Sequence, residues 1–157
     1  MRGFLFTLPA ALAVLGLFAS TAAADQPISA TSTFTATGPP TVTDISTAGP
    51  NTFITESGPA RYDGDVSGPY LIAGTLQIKG DGSVSGHATV VCTGCTIGGR
   101  TGDFSAVTNF SGPSLAEIKG QLTITSATGD LAGLHGTTDY AGSALGGTNT
   151  WSYHFQP

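Results

Sequence analysis

Charge is scarce in this chain: Asp, Glu, Lys and Arg together make up 10% of its 157 residues. Acids outnumber bases ten to five, leaving a formal net charge of −5. Nucleic acids and anionic membrane surfaces are bound through clustered cations that displace counterions, so neither is expected as a partner. No segment repeats its apolar residues at the helical period of about 3.6, which argues against a helical fold. Long apolar runs are limited to one. It extends from Phe4 to Ala19, follows Arg2 and precedes Ala22-Ala23-Ala24, the order of an export signal. It contains Pro9 and falls short of the roughly 20 residues that span a bilayer, so residues 1–24 read as a signal peptide and not as an anchor.

Cleavage after Ala24 leaves 157 − 24 = 133 residues, the size of one domain with a proper core. Arg61, Lys79, Arg100 and Lys119 then face ten acids, a charge of 4 − 10 = −6. The expected product is secreted, extracellular or periplasmic, with no membrane partner once the signal is gone.

What the chain does have is Gly, Thr, Ser and Ala between short apolar runs, a composition of strands and turns. Residues 25–50 form a Thr/Ser/Pro-rich arm broken by Pro39-Pro40 and Gly49-Pro50, in which "SATSTFTAT" is a possible first strand. Period-two alternation then becomes clear over residues 51–157. Tyr70, Ile72, Leu76 and Ile78 share one face, as do Ala116, Ile118, Leu122 and Ile124, then Phe104, Ala106 and Phe110, then Trp151, Tyr153 and Phe155. Each strand therefore has a dry side and a wet side. Turn signals recur at Gly80–Gly82, Gly98–Asp103, Ser111–Pro113 and Thr128–Asp130. About eight short strands at this spacing suit an all-β fold, a closed eight-stranded antiparallel barrel, which also removes the exposed edges that few charges could guard.

Several stretches invite a chemical reading. "ATGDLAGLHGTTDYAG", Ala127 to Gly142, has glycines but neither the Lys nor the helix of a phosphate loop, so it reads as a turn entering a strand. The two cysteines form "CTGC". A redox-active Cys-x-x-Cys needs a helix N-terminus to lower a thiol pKa, and none is expected here. In a straight strand Cys92 and Cys95 would lie roughly 10 Å apart, so the structural disulfide expected between them in an exported protein requires a bulge or tight turn at Thr93-Gly94. "DGDVSG", Asp63 to Gly68, starts like a calcium loop but offers Gly74 where the twelfth-position Glu belongs, so Arg61, Asp63 and Asp65 read as an exposed, partly ion-paired strand face. His87, His135 and His154 fall on the wet faces of different strands and are expected as isolated surface side chains, with no metal site. No Gly-x-Ser-x-Gly elbow occurs, and nothing calls for a cofactor.

The dry faces collect Tyr62, Tyr70, Phe104, Phe110, Tyr140, Trp151, Tyr153 and Phe155. An eight-stranded barrel interior is just wide enough to be filled by such side chains or to hold one small ligand among them. Buried tyrosine hydroxyls need partners, which hints at a cavity with polar anchors.

The residues "ARYDGDVSG", "GGRTGDF", "ATGDLAGLHGTTDYAG" and "WSYHF" resemble an uncharacterised bacterial group similar to the allene oxide cyclase barrel, of calycin-like type, and more distantly to dirigent proteins. The likeness runs from Thr52 to Phe155 and rests on turn residues Gly64-Asp65, Gly102, Gly129, Gly133 and Gly136 with the aromatic last strand. It implies an eight-stranded antiparallel barrel with an apolar interior, often a dimer or trimer. It also implies a lipophilic substrate whose cyclisation or coupling is guided chiefly by orientation. No cyclase catalytic residue matches a position of this chain.

Three functions are open at this point. The first is a secreted barrel binding a small apolar or aromatic ligand inside, through the eight aromatics named above. The second is a cofactor-free cyclase, isomerase or dirigent-type enzyme using the same cavity, with Glu56, which shares a face with Ile54, and Tyr140 as candidate catalytic groups. The third is a structural or interaction protein with a filled barrel. A tyrosine-lined cavity separates the first two from the third.

Overall fold

The structure, a computed structural model, describes residues 26–156. The expected signal peptide lies outside the described residues. Nine strands follow one another: β1 (Ile28–Ala36), β2 (Thr41–Ala48), β3 (Asn51–Gly64), β4 (Val66–Ile78), β5 (Val84–Ile97), β6 (Arg100–Ser114), β7 (Glu117–Ala127), β8 (Leu134–Ser143) and β9 (Gly146–Phe155). The one helical turn among the described residues, Gly129–Leu131, separates β7 from β8 within "ATGDLAGLHGTTDYAG". No helix among the described residues is long and apolar enough to cross a membrane.

All pairings are antiparallel, each strand beside its neighbour in sequence from β2 to β9, and β1 closes the ring by pairing with both β9 and β3. The result is a closed eight-stranded barrel with one extra strand, β2. The alternation that announces the barrel is visible in its burial: on β6 Phe104, Ala106 and Thr108 are buried while Val107 and Asn109 are exposed. β7 begins one residue after Ala116, which lies exposed in the preceding turn instead of in the dry face.

The segment expected as a loose arm contributes two strands. β1, holding most of "SATSTFTAT", is the possible first strand of that segment and is part of the barrel wall. β2 pairs with the first half of β3, from Thr41 opposite Ser57 to Ala48 opposite Asn51. All eight of its residues are exposed, which is why no buried face betrayed it in the sequence.

Glycines on the inner wall make room for rings on the next strand. Gly86 faces Phe110, Gly120 faces Tyr140, Gly136 faces Tyr153 and Gly147 faces Phe34 across the ladders. A Cβ on Gly120 would come within 2.5 Å of the Tyr140 ring and of the Asn109 carbonyl oxygen. Side chain on one strand and bare backbone on the next thus interlock, leaving the interior rich in aromatics without overfilling it.

The two ends of the barrel differ. Toward the β3–β4, β5–β6 and β7–β8 connections the interior is solid, with Tyr62, Val66, Ile97, Phe104, Leu131, Leu134, Trp151 and Tyr153 in one buried cluster. Tyr62 meets Trp151 edge-on with centroids 5.4 Å apart, and Phe104 meets the same indole at 6.1 Å. Toward the other end Leu76, Val84 and Ile118 form a smaller buried cluster, with Ile54, Ile78, Phe110 and Tyr140 half-covered around them.

Candidate functional site

At that second end lies an apolar pocket of about 320 Å³. Its wall is built by inward positions of β3 and β4: Ile54, Glu56 and Gly58 on one, Ile72, Gly74 and Leu76 on the other. Phe34 and Phe110 extend it around the barrel, Leu115 and Leu145 form part of the rim, and Tyr70 lies at its inner end. The pocket exists because closure of the barrel is incomplete there. β1 and β3 pair only over five positions, from Ser32 opposite Gly64 to Ala36 opposite Ala60. Beyond Ala36 the chain leaves the wall through Gly38, Pro39 and Pro40, and β3 takes β2 as its neighbour instead. Proline cannot donate to a ladder and fixes the backbone in an extended turn, so this corner ends the β1–β3 pairing.

Beneath the pocket a void of about 40 Å³ is lined by Phe34, Tyr62, Tyr70, Thr108, Leu122, Tyr140 and Asn149. Tyr62 and Tyr70 stack with ring centroids 4.2 Å apart, and Phe34 meets Tyr140 edge-on at 5.9 Å. Three phenols thus converge on the centre of the barrel. Burial pushes all three upward in pKa: Tyr62 and Tyr70 well above the ordinary 10.0, and Tyr140 up to about 12, the Thr108 hydroxyl working against the last shift. At neutral pH they are hydrogen-bonding groups and carry no charge.

The polar groups of the filled half are accounted for. Ser32, 5% exposed on β1, accepts at Oγ from Trp151 Nε1 (2.9 Å) and Asn149 Nδ2 (3.4 Å). Thr108 donates to the Gln121 carbonyl at 2.9 Å, and Thr138 to that of Thr150 at 2.9 Å.

The aromatic residues expected to surround one cavity therefore divide. Tyr70 and Phe110 line the pocket, Tyr62 and Tyr140 the void beneath it, while Phe104, Trp151 and Tyr153 belong to the filled half. Phe155 stands at the far end of β9, where the Arg100 guanidinium lies 3.9 Å from its ring centroid, a cation–π contact. Glu56 points into the pocket with Ile54 despite the nearby Ser57-Gly58-Pro59, because β3 runs through those residues without a break in its pairing to β4. Ile72, Leu76, Leu115 and Leu145 escaped sequence reasoning as lining residues. Alternation marked the first two as inward but carried no sign of which half of the barrel is hollow.

Cys92 and Cys95 stand at disulfide distance, with Cα atoms 5.9 Å apart. The required bulge is present: the β5–β6 register shifts between the two, and Gly94 adopts φ +64°. Cys95 packs on Gly68, where a Cβ would come within 2.6 Å of its sulfur. Asp63 pairs with Arg61 at 2.8 Å, while Asp65 accepts from the Thr31 backbone N–H at 2.9 Å and ties β1 to the β3–β4 turn. The expectation of isolated histidines is corrected for two of the three. His135 and His154 are directly opposite on β8 and β9, their rings stacked with centroids 5.7 Å apart. A wider depression on the outer wall, over Gly120 between Lys119, Gln121, Asp139 and Thr150, is shallow, and within it Gln121 Nε2 donates to Asp139 Oδ1 at 3.1 Å.

No protein-family model and no curated protein matches the chain. Among solved structures it is similar to a protein of unknown function from the DUF3224 family of Shewanella oneidensis MR-1, with a TM-score of 0.71 and 17% sequence identity, over 84% of this chain and 99% of that one. At that identity the likeness is one of fold.

Proposed function

We propose that the barrel binds one small apolar or aromatic ligand in the pocket between β3, β4 and the β1–β2 corner. The observation that carries this reading is the contrast within one interior: half of it is packed to full burial, whereas the other half keeps an apolar hollow of about 320 Å³. A hollow of that size is at the lower end of small-molecule sites, and apolar walls with a few convergent polar groups are their usual lining. Water inside such a space forfeits hydrogen bonds, so an apolar ligand that displaces it binds favourably. The proposal includes export, supported by the signal-like residues 1–24 and by the cysteine pair at disulfide distance.

The test is calorimetric titration with naphthylethanol, a neutral bicyclic probe. The Ile54→Trp variant, which places a ring in the pocket, is expected to lose at least about tenfold in affinity, a cost of about 1.4 kcal/mol. Val107→Trp on the outer wall, where Val107 is 46% exposed, should leave affinity unchanged. Equal binding by both variants would sink the proposal.

A second reading is a cyclase or isomerase of the allene oxide cyclase or dirigent type. It is favoured by one feature: the Glu56 carboxylate and the Tyr70 phenol, which holds its proton firmly, line the same apolar space. A ligand recovered chemically unchanged after prolonged incubation would favour the binder.

A further inference from the structure

We infer that the pocket selects apolar ligands carrying one basic nitrogen, with the Glu56 carboxylate as their counter-ion. This rests on the ligand-binding reading above and narrows its chemistry. Among the pocket's inward positions on β3 and β4 the ionisable side chains are Glu56 and the Tyr70 phenol, and burial keeps the latter protonated. His87, which also borders the pocket, takes the outward alternation of β5 and is exposed. Lys79 follows Ile78 but belongs to the β4–β5 turn, where its charge bears on Asp81. The ion pair among the described residues is Arg61 with Asp63, so no cation of the described chain neutralises Glu56.

The neighbours of Glu56 on the inner wall are small. Across β3–β4 it faces Gly74, and Gly74 in turn faces Ala88 on β5. Gly74 cannot be larger, since a Cβ there would collide with the His87 carbonyl oxygen and with Ala88. Along β3 the next inward position is Gly58. One carboxylate therefore borders the recess in which Ile54, Ile72, Leu76 and Phe110 receive an apolar body. A half-buried carboxylate in an apolar surround attracts an ammonium group more strongly than an exposed one does, because less water screens it. An anionic head in the same recess meets like charge at close range and is disfavoured.

The test compares three probes of one skeleton, naphthylethylamine, naphthylethanol and naphthylacetate, by calorimetry at neutral pH and low salt, on the full mature chain and on its Glu56→Gln variant. Expected for the parent protein is an amine bound about tenfold more tightly than the alcohol, and an acetate bound more weakly than both. In Glu56→Gln the advantage of the amine over the alcohol should vanish, whereas Val107→Trp on the outer wall should keep it. An amine preference that is missing in the parent, or that persists in Glu56→Gln, overturns the inference while leaving ligand binding standing. If none of the three probes binds, the ligand-binding reading fails and the inference with it.

Discussion

Three tyrosines set the chemical character of the barrel centre. Tyr62, 3% exposed, is stacked on Tyr70, and Tyr140 lies across the same small void. Burial raises the pKa of each above 10.0, which links their protons to folding. Below pH 10 the phenols are protonated in folded and unfolded chains alike, and the stabilisation is complete. As pH rises past 10 the unfolded chain releases protons that the barrel retains, so stability falls through the alkaline range until the folded-state pKa values are passed. Tyrosinate absorbance at alkaline pH is therefore expected to show these three tyrosines ionising late, and together with loss of the native fold. Independent ionisation of the three near pH 10 in a still-folded protein would contradict their placement. Glu56 owes its direction to alternation: as an even-numbered residue of β3 it is bound to the face of Ile54, Ala60 and Tyr62.

At the scale of strands, the fold depends on rings laid over bare backbone. Gly120→Ala is expected to destabilise the protein by about 1–3 kcal/mol, because the added methyl group meets the Tyr140 ring and the Asn109 carbonyl in a space already filled. In urea unfolding, combining it with Tyr140→Leu should recover part of that loss, and strictly additive effects would show that ring and glycine do not interact. The elements also show what could be read beforehand. Tyr70, Ile72, Leu76 and Ile78 announce β4 because one of its faces is dry, whereas β2 has no dry face and therefore no periodic signature. The meeting of His135 and His154 was within reach: the tight β8–β9 turn, with Ser143 opposite Gly146, fixes every partner on the two strands. Placing the hollow was not. Register shifts between Val42 and Asp44, Ser67 and Tyr70, Cys92 and Cys95, Ser105 and Ala106, and Ser111 and Ser114 decide which inward side chains share a level. Single residues inserted in a ladder leave little trace in an alternating pattern.

For the whole molecule, the asymmetry between its ends is the property from which function follows. Where β1 and β3 remain paired, aromatic side chains fill the interior, and where the proline corner parts them the interior is open. In the proposed binding reading, the filled half holds the shape of the pocket and the open half admits the ligand. Backbone amide shifts of isotope-labelled protein, followed during titration with naphthylethanol, test this division most directly. The account predicts changes concentrated at Phe34, Ile54, Glu56, Ile72, Leu76 and Phe110, with Leu131, Leu134 and Phe155 at the filled end unmoved. Changes centred on the filled end or on the outer wall, or none at saturating probe, would contradict it.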